Sequence, residues 1–176
     1  MNGAPNILIE SHRLSIVPFS ALDADEAFPC ITQTLTRLMS WEPPKDRAEF
    51  DRVWQSWLPT IIDRTDLVFT IRERGSMAFL GLAGLHRAKS ESPELGIWIR
   101  EDRHGEGFGR EAVKWVARWA SAALNSSEFT YPVAEENRGS RRIAESLGGV
   151  IVECYDTSKY RCVVYRIPRQ TTADNA

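Results

Sequence analysis

The stretch that decides the fold is His104-Gly105-Glu106-Gly107-Phe108-Gly109-Arg110. It follows the strand-like segment Glu94 to Arg100 and runs directly into a long pattern with helical spacing. Three alternate glycines let a backbone approach an anion closely. A helix that starts there points its unpaired N–H groups and the positive end of its dipole at the same spot. The expected ligand carries a diphosphate. A triphosphate loop needs Gly, four residues and then Gly-Lys-Ser/Thr, and nothing after Gly105 supplies the Lys or the hydroxyl. A dinucleotide fingerprint needs its third glycine at the sixth position, where counting from Gly105 finds Arg110, and it opens on the first strand of its unit rather than in mid-chain. What remains is a tighter x-x-x-Gly-x-Gly turn.

Outward from the loop, 176 residues with 43% apolar content set the size of one domain with a single core, expected over 1–169 with a flexible tail at 170–176. Basic and acidic side chains nearly cancel, 22 against 24, so no global field recruits nucleic acid or an acidic membrane, and any anion site is local. The start, Met1 to Pro5, has no basic cluster followed by an apolar stretch, and no window approaches a membrane span, so a cytoplasmic protein is expected. Cys30, Cys154 and Cys162 show no metal spacing, and no metal is expected. Cys154 and Cys162 lie symmetrically about Ser158, facing each other if a hairpin turns there.

The period of the apolar residues then orders the chain. Ile7 to Pro18 reads as a first strand, with Leu14 and Ile16 on one face. Asp23 with Glu26 suggests a capping box for a helix carrying Phe28, Ile31, Leu35 and Leu38, broken near Phe28 by Pro29. Asp46 with Glu49 caps a second helix with a stripe from Phe50 to Ile61. Leu67 to Ile71 and Met77 to Leu85 form a hairpin, and Glu94 to Arg100 adds a strand. The helix after the glycines buries Phe108, Ala112, Trp115, Val116, Trp119, Ala120 and Ala123 and shows Arg110, Glu111, Lys114, Arg118 and Ser121 to water. A strand near Phe129 to Ala134, a helix from Asn137 to Leu147 and two strands near 150–155 and 160–167 complete the order. The expected fold class is α/β of the α+β type: a mixed, mostly antiparallel sheet of six to seven strands, one parallel pair in its middle, and about four helices. An apolar strip on the last strands suits a homodimer.

A second motif follows about thirty residues after the loop: Asn137-Arg138-Gly139-Ser140-Arg141-Arg142-Ile143-Ala144-Glu145-Ser146-Leu147-Gly148. Alone, Asn137 reads as a helix cap. With the glycine loop, the segment resembles the Asn-x-x-Ser and Leu-Gly stretch of the GCN5-related N-acetyltransferase (GNAT) superfamily, in the branch that acetylates N-termini of ribosomal proteins and small amines. Glu10 to Ile16, Phe79 to Leu85 and Glu94 to Ile99 resemble the first, third and fourth strands of that branch, so the likeness runs from about Ile9 to Pro168. Two positions depart from it. His104 stands where many members carry Gln or Arg, and Ala144 where many carry a tyrosine acid.

The resemblance implies acetyl-CoA as cofactor and an acyltransferase that moves an acetyl group from the thioester directly to a primary amine, of a small molecule or a protein N-terminus. It places the cofactor on His104, Gly105, Glu106, Gly107, Phe108, Gly109 and Arg110, with Arg103 adding charge, beside the strand Ile97-Trp98-Ile99 and against Asn137. Amine attack needs a base and the thiolate needs an acid or hydrogen-bond donor. Glu94 is the first candidate base and His86 the second, and Ser140 is the candidate acid. Met39, Trp41, Trp54 and Tyr160 are expected around an acceptor pocket between the first two helices and the last hairpin. The alternative is a coenzyme A-binding sensor or interaction module without transferase activity.

Overall fold

The computed structural model describes residues 5–171; residues 1–4, and residues 172–176 of the tail expected at 170–176, lie outside them. Eight strands form one sheet: β1 (Ile9–Glu10), β2 (Leu14–Pro18), β3 (Leu67–Glu73), β4 (Phe79–His86), β5 (Glu94–Ile99), β6 (Glu128–Ala134), β7 (Val150–Asp156) and β8 (Arg161–Pro168). Their order across the sheet is β1-β2-β3-β4-β5-β6-β8-β7, antiparallel except for β5 and β6. Five α-helices accompany them: α1 (Ala24–Ala27), α2 (Gln33–Thr36), α3 (Arg47–Asp63), α4 (Phe108–Ala123) and α5 (Arg138–Ser146).

Each extra element has a local cause. The expected first strand is split because Ser11 turns the chain: its N–H donates to Leu14 O at 3.0 Å and its Oγ accepts from Leu14 N at 2.9 Å, so Ile9 pairs with Ile16. The expected first helix is split at Pro29, where a 3-10 turn (Phe28–Cys30) intervenes and Thr32 Oγ1 caps α2 by accepting from Leu35 N. The capping pair here is Ser20 with Asp23 rather than Asp23 with Glu26: Ser20 N donates to Asp23 Oδ2 at 2.8 Å. Glu26 is drawn instead to Arg72, whose guanidinium also holds Asp23. Asp46 caps α3 as expected, its Oδ1 accepting from Glu49 N at 2.7 Å.

The core is continuous on both faces of the sheet. Leu14, Ile16, Phe69, Ile71, Leu80, Leu85, Phe129 and Ile167 are wholly buried. α4 packs its apolar stripe on one face, with Trp119 meeting Phe69 edge-on at 5.7 Å. Phe19, Trp54 and Trp57 cluster against Phe50, which makes Trp54 a core residue rather than a pocket wall. The far edge is β7, where Val150, Ile151, Val152 and Tyr155 are exposed.

Arg118 and Ser121, expected in water, are buried. Ser121 is covered because the chain after β8 folds back, and Gln170 N donates to its Oγ at 3.1 Å. Gln170 Nε2 also donates to Leu147 O, so the chain is tied down through 170, further than the expected boundary. All three cysteines are free thiols. A bulge between Ile151 and Glu153 shifts the hairpin so that Cys154 faces Val163 and Cys162 faces Tyr155. Successive residues of a strand point to opposite faces, which turns the two sulfurs away from each other.

Candidate functional site: a cleft where two parallel strands part

The site begins as a defect in the sheet. β5 and β6 share one residue pair, Glu94 with Thr130, held by Thr130 N donating to Pro93 O at 3.0 Å. Beyond it the strands diverge. Arg100 N donates to Leu80 O, which fixes the alternation along β5. The backbone groups of Gly96 and Trp98 face β4, and those of Leu95, Ile97 and Ile99 face the opening. Of the three strand residues expected to meet the cofactor, Trp98 therefore has its backbone committed to Leu82, and its ring packs on Phe79 at 5.8 Å. Ile97 is the residue whose backbone faces the gap. Ile99 O accepts from His104 Nε2–H at 2.6 Å, so His104 anchors the loop to the strand.

The glycine loop closes one end of the opening. Gly105 and Gly107 both have φ of +83°, in the left-handed region that only glycine adopts without strain. Gly107 is the N-cap of α4 and has no side chain to cap with, so the first amides of the helix stay unsatisfied within it. Gly109 serves another purpose. A Cβ there would lie 3.3 Å from Ile143 Cδ1 and 3.6 Å from Ile99 Cγ1, so its bareness lets α4 seat closely against α5 and β5.

Behind the loop stands a buttress that no local pattern announces. Arg13 Nε donates to Glu111 Oε2 at 2.7 Å, Arg13 Nη1 donates to Glu106 O at 3.0 Å, and Ser11 Oγ donates to Glu111 Oε1 at 2.6 Å. The buried Phe108 ring lies under the guanidinium groups of Arg13 (4.5 Å) and Arg103 (4.9 Å). Arg103 is held by Glu73 and Glu106, so it braces the loop more than it offers free charge. Glu106 is exposed and does not line the cleft.

Burial alone pushes the Glu111 carboxyl up, but the hydrogen bonds from Ser11 and Arg13 outweigh it and hold Glu111 below its ordinary range. A depressed carboxylate stabilises the fold above the unfolded pKa and loses that contribution as pH falls through the folded value. The urea midpoint of the wild-type protein is accordingly expected to fall more steeply below about pH 4.5 than that of Glu111→Gln. Parallel curves for the two proteins would exclude this role for Glu111.

The cleft encloses about 630 Å³ and is lined by both motifs, Gly105 and Gly107 to Arg110 on one side and Asn137, Gly139, Ser140, Arg142 and Ile143 of the α5 turn on the other. Ile97 to Ile99 of β5, with Leu35 and Met39, also line it. Three arginines, Arg103, Arg110 and Arg142, line it and no carboxylate does. Arg110 and Arg142 have no ion-pair partner among the described residues. Arg142 was missing from the expected set, although its place two residues after Ser140, in the same first turns of α5, was a usable signal. A smaller hollow of about 300 Å³, between Lys114, Leu147, Gly148 and Pro168, touches the Leu147-Gly148 end of the second motif but neither the glycine loop nor the first turns of α5.

Asn137 is the N-cap of α5, its Oδ1 accepting from Ser140 N at 3.1 Å. Ser140 Oγ lies 2.6 Å from the hydroxyl of Tyr131, a nearly fully buried residue of β6 that sequence reasoning passed over. Ala144 is fully buried and brings no hydroxyl. Glu94 does not line the cleft; it stands where β5 meets β6, ion-paired with the exposed Arg87 at 3.2 Å. His86 pairs with Asp66 through Nδ1 at 3.2 Å, and its ring lies over the bare faces of Gly84 and Gly96. Tyr155 is pushed up to about 12, first by its contact with Cys162, then by burial, with the Cys162 and Glu94 charges adding smaller pushes. The tip of the last hairpin is tied to the segment after α2: Lys159 Nζ donates to Thr36 O (3.0 Å) and Trp41 O (3.2 Å) and pairs with Glu42 (3.0 Å). Met39 lines the cleft, Trp41 and Tyr160 do not, and Tyr160 is half-buried beside Cys162.

Among the described residues no helix is long and apolar enough to cross a membrane, and no cluster of three metal-binding side chains occurs. Known proteins share this architecture. The crystal structure of spermidine N-acetyltransferase from Vibrio cholerae, in complex with CoA and spermine, superposes with a TM-score of 0.77 at 18% identity, over 90% of this chain and 97% of that one. The ribosomal-protein-S5-alanine acetyltransferase from Vibrio fischeri gives 0.77 at 15% identity, over 93% and 97%. The N-acetyltransferase 9-like protein of Caenorhabditis briggsae is 25% identical over 174 residues, 93% of this chain and 86% of its own length. An uncharacterized protein of Methanocaldococcus jannaschii is 28% identical over 94 residues, and that match spans 53% of this chain and only 19% of the relative. Residues 13–150 match the family model described as the acetyltransferase (GNAT) domain, and the chain belongs to that family.

Proposed function

We propose that this chain is an acetyl-CoA-dependent N-acetyltransferase acting on a primary amine. The observation that carries the reading is the parting of β5 and β6 after a single pair, directly under the uncapped N-terminus of α4. The residues present fit coenzyme A. Two left-handed glycines expose backbone amides, Arg110 and Arg142 leave positive charge unspent at the rim, and the lining contains no carboxylate to repel a pyrophosphate. Ile97 offers free strand backbone along which an amide-bearing arm can hydrogen-bond.

Bound acetyl-CoA supplies a thioester already activated for attack by an amine; the remaining tasks fall to the chain. The outward N–H of Ile97 is the donor available to polarise a carbonyl placed in the gap. Glu94 takes the proton from the incoming ammonium in this scheme, with His86 beside it on β4 as the second candidate. The Arg87 partner of Glu94 is well exposed, and such surface pairs contribute only about 0–1 kcal/mol, so an incoming cation displaces it at little cost. Ser140 lines the cleft, and in this scheme its hydroxyl donates a hydrogen bond to the departing sulfur. Asn137 spends its carbonyl oxygen on the α5 cap and keeps its amide NH2 for the ligand.

The acceptor is a small molecule or a protein N-terminus. A thiol-release screen with acetyl-CoA across amines, polyamines and N-terminal peptides tests the reading. Release with at least one amine is expected, suppressed by Ser140→Ala and Glu94→Gln. Coenzyme A binding without release from any acceptor supports the sensor reading instead, and no binding at all defeats both.

A further inference from the structure

Tyr131 is a buried phenol with one hydrogen-bond partner. Its ring belongs to β6, it is 2% exposed, and its oxygen lies 2.6 Å from Ser140 Oγ with no other partner among the described residues. A tyrosine hydroxyl has one proton to give, and a serine hydroxyl has one proton and two lone pairs. If Ser140 were the donor, the Tyr131 proton would be buried without an acceptor, at a cost of about 1–3 kcal/mol. Tyr131 is therefore the donor, and the proton of Ser140 is turned away from it, toward the cleft that Ser140 lines. The α5 cap holds the other side of the residue, since Ser140 N is bound to Asn137 Oδ1. Burial, only partly offset by the Ser140 hydrogen bond, pushes the Tyr131 phenol up to about 12, which keeps the donor protonated through neutral pH.

We propose that Tyr131 is a positioning residue, which by donating to Ser140 Oγ holds the Ser140 hydroxyl pointed into the cleft as a preformed hydrogen-bond donor to the leaving sulfur. This rests on reading the cleft as a coenzyme A site. It assigns work to a side chain that never touches the substrate, and it converts a rotatable hydroxyl into a fixed one before the reaction begins, which is how a polar group avoids reorganisation cost during the step.

The test is Tyr131→Phe, which keeps the ring and removes only the oxygen. The thiol pKa of bound coenzyme A, read from thiolate absorbance during a pH titration, needs no acceptor amine. A donor aimed at sulfur lowers that pKa, and Tyr131→Phe and Ser140→Ala are each expected to raise it by about half a unit to one unit. In turnover, Tyr131→Phe is expected to lower kcat about tenfold to a hundredfold with KM for acetyl-CoA within about twofold. The double variant should be no worse than Ser140→Ala alone, because Tyr131 acts only through that hydroxyl. An unchanged thiol pKa in Tyr131→Phe, or losses that multiply in the double variant, would overturn the proposal and leave the acetyltransferase reading standing. Failure of the wild-type protein to bind coenzyme A would take both down. If Tyr131→Phe does not fold, the Tyr131 hydroxyl proton is followed by NMR: a slowly exchanging resonance lost in Ser140→Ala supports the pairing, and one that Ser140→Ala leaves unmoved refutes it.

Discussion

Gly107→Val weakens coenzyme A binding by about tenfold to a hundredfold in an isothermal titration, with the fold retained. The argument is conformational. At φ of +83° a β-branched residue is strained by about 1–3 kcal/mol, and the cheapest relief is to rotate the N-cap of α4 out of the left-handed region. That rotation re-aims the amides which define the cradle. Within the protein a Cβ at Gly107 meets only the guanidinium of Arg13, at 3.5 Å, so no internal clash adds to the backbone strain. Gly109→Leu reaches a similar loss by packing: its side chain drives against Ile143 and Ile99 and separates α4 from the helix that carries Ser140. Gly105→Ala is the milder control, with open space around the new carbon and only the backbone strain to bear. Unchanged affinity in Gly107→Val would reduce the loop to a plain turn.

Gly81→Ala lowers stability by about 3–5 kcal/mol in urea denaturation, the range of a severe single-site lesion. The added carbon falls 2.1 Å from Trp98 O and 2.9 Å from Ile99 Cα, backbone atoms that no rotamer change can move. Strand β5 must shift away, and β5 lines the cleft. Gly84→Ala, three residues along the same strand, also makes a clashing contact, of 2.6 Å, but with the Nε2 end of the His86 side chain. That ring is 43% exposed and swings aside, so a loss under about 1 kcal/mol is expected. Equal losses at the two positions would show that the clash is not what decides them.

The donor half of the site was readable in one dimension because its parts are local. A glycine turn, the helix it starts and the Asn-x-x-Ser cap lie within 45 residues, and each has a spacing rule. The strand count was short because a hydroxyl at Ser11 folds back on Leu14, a three-residue event inside an otherwise regular pattern. The Arg13–Glu111 buttress joins residues 98 apart, and an exposed-looking Arg at a strand start carries no mark of it. Tyr131 alternates with Phe129 and Val133 like any core residue; only the approach of α5 shows that its oxygen has a task. Cys154 and Cys162 are symmetric about the turn in sequence, and one bulge removes that symmetry in space.

Lys159 bonds to Thr36 and Trp41 across sequence separations of 123 and 118 residues, and every proton of its ammonium has a taker when Glu42 is included. Contacts of that span form late, because the whole loop between them must be ordered first. Lys159 thus ties the tip of the last hairpin to the segment between α2 and α3, and a chain stopped just before residue 159 would leave Thr36 O and Trp41 O without these donors.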